Sequence, residues 1–135
     1  MSNALDALLS REINTEKQVY IEGIGTNFTV KSLTNAEVDE ITDESTRKIG
    51  KGSNQRTEYD EQKANALTIV RGCKDPQFAD KQVLEAFGAT SADEAVRAAL
   101  KPGEFQHLIK EILELSGINM TGESYEEEVD EIKNG

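Results

Sequence analysis

Hydrophobic residues in this chain cluster between Ala64 and Gly117, and their most regular run comes last. Phe105, Leu108, Ile109, Ile112 and Leu113 recur at intervals of three and four, which places them on one stripe of an amphipathic helix over residues 102–116. Pro102 suits the first turn, where its missing N–H costs no hydrogen bond, and Gly117 suits a left-handed stop. Upstream, Ala66, Leu67, Val70 and Cys73 line one face of a helix over residues 58–73, with Ile69 widening it and Asp75-Pro76 ending it. Two shorter helices are predicted between these. One, over 80–87, carries Val83, Leu84 and Phe87 on one side and stops at Gly88. The other, over 91–100, opens on a Ser91/Glu94 capping box and shows Ala95, Val96, Ala99 and Leu100.

The first third alternates instead. Val19 and Ile21 pair by pattern with Phe28 and Val30 across Gly23-Ile-Gly-Thr26, which predicts a β-hairpin at about 18–31. A lone hairpin is marginal in water, so its apolar face needs a helix or a second copy of the chain to rest on, and self-association stays open. Leu33-Thr-Asn-Ala-Glu37 begins a helix over 34–49, capped by Thr34 and Glu37, with only Val38, Ile41 and Ile49 apolar along it. A loop is expected at residues 50–57, and with Arg47 and Lys48 it forms a basic patch. Leu5, Leu8 and Leu9 give a short N-terminal helix. At the other end, Ser124 can cap a helix that shows Tyr125, Val129 and Ile132 on one side. The expected fold is α+β: a mostly helical single domain over 1–117 with one β-hairpin packed on a small helical bundle, and an acidic tail over 118–135.

Charge narrows the functional classes. The chain holds 26 acidic and 15 basic residues, a formal net charge of -11, which repels phosphate backbones and anionic membranes. Neither nucleic acid nor membrane is expected as a partner. The N-terminal residues are too acidic for a secretory signal, and no apolar run reaches the ~20 residues that span a bilayer.

Candidate chemistry is sparse. His107 is the only histidine and lies beside the stripe of the last helix, with no nucleophile assignable to it. Cys73 is the only cysteine, so no intramolecular disulfide and no cysteine metal cluster forms, and its place on an apolar face reads as a buried thiol. Gly23-Ile-Gly25 lacks the third glycine of a dinucleotide fingerprint. Ile49-Gly-Lys-Gly-Ser53 lacks the spacing of a phosphate loop. The tail lacks the alternating ligands and central glycine of a calcium loop. No catalytic residue, cofactor or metal is expected. What remains is an interaction protein with two candidate docking elements, the Leu5/Leu8/Leu9 helix and the Tyr125/Val129/Ile132 tail, joined by any exposed remainder of the Leu108/Ile112 stripe.

Several segments, in order and spacing, resemble the XkdN-like phage tail assembly chaperones. They are Phe28-Thr-Val-Lys-Ser-Leu-Thr34, Asp75-Pro-Gln-Phe78, Leu84-Glu-Ala-Phe-Gly88, the Ser91 helix ending in Leu100, Pro102-Gly-Glu104 and Leu115-Ser-Gly117. The resemblance covers about Val19 to Gly117. It implies a non-catalytic, late role in the host bacterial cytoplasm: binding the tape-measure protein, helping recruit tail-tube subunits, and remaining absent from the mature virion. The alternative expectation is a structural tail component, a tube or connector subunit. The resemblance offers no motif for the tape-measure contact.

Overall fold

Alternating burial builds the first element pair, in a computed structural model that describes residues 3–118. Strands β1 (Glu16–Ile21) and β2 (Thr26–Lys31) run antiparallel with Val19 opposite Phe28. Val19, Ile21, Phe28 and Val30 are all buried, as their spacing requires. A third strand that the pattern did not announce, β5 (Cys73–Asp75), pairs antiparallel with β2, so the sheet order is β1-β2-β5.

Helix α6 (Pro102–Leu115) covers β1 and β2 and packs on α3 (Glu61–Gly72), while α5 (Ala92–Ala99) packs on α3 and α4 (Lys81–Phe87) on α5. Ile69, Val96, Leu108 and Ile112 meet the sheet residues in one core, and Ala66 and Ala95, both fully buried, keep α3 and α5 close. Phe28 and Phe78 meet edge to face with ring centroids 6.4 Å apart. A smaller cluster of Ile41, Ala64 and Leu67 joins α2 (Asn35–Ser45) to α3, with Leu33 touching both cores.

Local signals explain most boundaries. Thr34 Oγ1 accepts the Glu37 N–H at 3.1 Å while the Glu37 carboxylate accepts the Thr34 N–H at 3.1 Å, the reciprocal cap that the sequence implies. Asp60 and Asp80 cap α3 and α4. At α6, Glu104 accepts the Lys101 N–H at 2.8 Å, and Gly117, at φ 77°, turns the chain so that the Ile118 N–H returns to the Leu113 carbonyl. The Ser91 cap is different from expectation. The Ser91 side chain makes no capping bond, and the Glu94 carboxylate instead accepts both the N–H and the hydroxyl of Thr90.

Three helix boundaries are corrected. The helix expected over 34–49 ends at Ser45, and Thr46–Ile49 forms strand β3. It pairs with β4 (Arg56–Tyr59) to make a second hairpin, where a loop was expected. Thr46, Ile49, Thr57 and Tyr59 favour the pleated conformation, and Gly50, at φ 92°, takes a left-handed turn that a side chain resists. The helix expected from Glu58 therefore starts at Glu61. It also stops one residue early, at Gly72. A Cβ there would lie 2.5 Å from Cγ2 and 2.7 Å from Cδ1 of Ile112, so the absent side chain lets α6 press on the point where α3 becomes β5. Phe87, placed by pattern on the inner side of α4, is 46% exposed, while Val83 and Leu84 are half-buried.

Gly72→Ala is expected to destabilise the fold by ~1–3 kcal/mol through overpacking against Ile112. Ile112→Ala, which removes all three crowding carbons, should cost less in the Gly72→Ala chain than in the parent, and urea titration of the two single variants and the double variant measures the coupling. Strictly additive effects would show that the two residues do not press on each other.

Candidate docking surfaces

The expected contact residues fall into two groups. Leu108 and Ile112 are both 0% exposed, closed over by the sheet and α3, so neither offers a surface to a partner, and of their stripe only Phe105 is half-buried. Tyr125, Val129 and Ile132 lie outside the described residues. His107 is exposed on α6 and borders an open groove of about 450 Å³ with Tyr20, Gly23, Lys101 and Glu104. A second groove of about 330 Å³ runs between α3, α5 and α6, floored by Leu100, Pro102 and Phe105 and edged by Arg97. Neither groove sets a nucleophile against a base. Among the described residues no group of three or more His, Cys, Asp or Glu side chains is placed to hold a metal ion.

Cys73 is buried at the start of β5, beside the core face of the sheet. Burial pushes its thiol up to about 12, since a thiolate there would lose its hydration. Its charged sequence neighbours are turned elsewhere. Arg71 reaches Glu40 at 2.6 Å and Glu44 at 2.9 Å on α2, and Lys74 reaches Glu16 at 2.5 Å.

The N-terminal helix is the most exposed apolar element among the described residues. In α1 (Asn3–Ser10) no residue is buried, and Leu5, Leu8 and Leu9 are 51%, 64% and 75% exposed. Ile13, in the connection to β1, is also exposed. The root of this connection is held firmly. Ser32 Oγ donates to the Ile13 carbonyl at 3.1 Å and accepts the Thr15 N–H at 3.1 Å, while the Ser32 N–H donates to the Thr15 carbonyl at 2.9 Å. A short amphipathic helix hung from a fixed root, with its leucines in water, is suited to a groove on another chain.

The second hairpin projects in a similar way. β3 and β4 form a sheet of their own, and every residue of β4 is exposed. Sequence reasoning marked this stretch as basic but missed its strands. The available signal was the β-branched and aromatic residues on both sides of Gly50-Lys-Gly52. The third feature is the outer edge of β1, unpaired among the described residues. Lys17 on that strand bonds Glu111 of α6 at 2.5 Å; this hydrogen bond raises the lysine amine and lowers the carboxyl.

The candidate site is therefore a set of exposed elements mounted on a small α+β core. The chain belongs to the phage XkdN-like tail assembly chaperone family, whose model matches residues 5–133. Its fold is similar to the crystal structure of the protein YqbN, with a TM-score of 0.64 at 20% identity over 88% of this chain and 98% of that one. At that identity the likeness speaks for the fold alone. No curated protein matches the chain.

In the native state Cys73 should react with a thiol reagent at pH 8 at least ~100-fold more slowly than in urea, because the thiolate forms only when the strand opens. Labelling at the rate of a free thiol would contradict the buried placement.

Proposed function

We propose that this tail assembly chaperone acts without catalysis by binding the tape-measure protein and assisting tail-tube assembly around it. It does so in the cytoplasm of the host bacterium and does not remain in the mature virion. The observation that carries this reading is α1, which displays three leucines to solvent. A tape-measure protein is a long chain whose apolar helical faces must be kept from one another, and many small helix contacts serve that purpose. The apolar side of the tail, Tyr125, Val129 and Ile132, is the proposed second contact. The acidic charge of -11 disperses such a coated complex.

Co-expression with the tape-measure protein encoded in the same tail region tests this directly. The tape measure should become soluble and retain the chaperone on purification. Leu8→Asp with Leu9→Asp should lower the retained amount at least ~10-fold while leaving the melting temperature within a few degrees, since both side chains are exposed in the free protein. An equally soluble tape measure without the chaperone, or no retention, overturns the reading. The β1 edge, unpaired among the described residues, favours one other role, a tube or connector subunit that assembles by strand addition. Abundant copies in purified particles, counted by mass spectrometry, would favour that role instead.

A further inference from the structure

We propose that the β3–β4 hairpin is a docking arm for the acidic C-terminal segment of the same chain, residues 119–135. The arm inverts the charge of the molecule locally. Between Thr46 and Tyr59 it carries Arg47, Lys48, Lys51 and Arg56 against the single acid Glu58, a net charge of +3 within a chain of -11. Arg47 reaches Glu58 at 3.5 Å across the strand pair. Lys48, Lys51 and Arg56 are exposed and have no acidic partner among the described residues. A strand pair with no buried side chain contributes little to the core and presents its side chains to solvent.

The tail supplies the opposite charge in the right amount. Glu123, Glu126, Glu127, Glu128, Asp130 and Glu131 face only Lys133, a net of -5. A block of like charge of this kind is characteristically an interaction segment.

Reach decides whether the two can meet. The tail leaves the fold at Ile118, where Ser116 Oγ accepts the Leu33 N–H at 2.8 Å, so its root lies beside the start of α2. The arm grows from the other end of that helix, at Thr46. The eleven residues of α2 span about 16 Å at ~1.5 Å each, and the strands of the arm add roughly 13 Å. Glu126 is the eighth residue after Ile118 and Glu131 the thirteenth, so the acidic block reaches from about 26 to about 43 Å when extended. The whole arm is within range. The intervening face of α2 is acidic, but Lys31 engages Glu37 and Arg71 engages Glu40 and Glu44, which leaves Asp39 and Asp43 to be skirted.

A tether this short gives an effective concentration on the order of millimolar, so even a weak contact is half to nine-tenths occupied. Occupied in this way, the arm and the tail mask each other, and a partner that takes one releases the other.

Trypsin reads the arm because Lys48, Lys51 and Arg56 are its cleavage sites. The full-length chain is compared with the full-length variant E126Q/E127Q/E128Q/D130N/E131Q at about 20 mM and about 0.5 M salt. At low salt the variant should be cut at these three sites about 2- to 10-fold faster, with cleavage after Arg11 unchanged. High salt should remove the difference. The ratio should stay constant as protein concentration is raised a hundredfold, because the tether is within one chain. Equal rates at low salt overturn the proposal and leave the arm to an external acidic partner. Protection that grows with concentration also overturns it, in favour of the tail of a second copy.

Discussion

Everything in this fold is arranged around the contact between Gly72 and Ile112. Because residue 72 has no side chain, α6 settles directly on the end of α3, and Ile112 is fully buried there. The next residue, Cys73, is carried out of the helix and into the sheet, where it pairs with Val30. The same contact thus joins the helical layer to the sheet layer. Four residues beyond Ile112, Ser116 at the C-terminal cap of α6 accepts the Leu33 N–H to set the entry to α2. A larger residue at position 72 would separate layers that have few other large side chains to hold them, in a chain with 5% aromatic residues and no tryptophan.

That economy concentrates burial in one place and leaves the extremities with almost none. α1 and the β3–β4 arm are ordered by their roots, through Ser32 in one case and the end of α2 in the other, while their side chains face water. Surface ion pairs such as Lys17–Glu111 and Lys74–Glu16 trim the sheet edges but, screened by solvent, add little to stability. Elements with little buried surface are the ones that can change partners without unfolding the core. The chain of this tail assembly chaperone family thus divides into a fixed core and exposed appendages.

How much of this was legible in the sequence depended on how local each signal was. The β1–β2 pair, the Thr34/Glu37 cap and the Pro102–Gly117 helix are written in neighbouring residues, and each forms as its pattern requires. β5 is three residues long and exists only because Val30 waits for it far upstream, so no local window contains it. β3 was hidden because Ile49 continues the helical spacing of Ile41, and only pairing with β4 turns it into a strand. Glu94 lies three residues beyond Ser91, but Thr90, one residue earlier, offers it both an N–H and a hydroxyl. The pattern of exposure was partly legible. The leucines of α1 stood out as a candidate contact, whereas Leu108 and Ile112 were half-assigned to a surface that the sheet and α3 in fact close.

The central claim is that a rigid core carries appendages with almost no buried surface. Native-state amide hydrogen exchange of the free chain tests it most directly. Amides of α6, α3 and the β1–β2 pair should exchange only with global unfolding, while those of α1 and the β3–β4 arm should exchange at least ~100-fold faster. Protection of α1 equal to that of α6 in the free protein would contradict the account, since it would mean that the exposed helix is already part of the core.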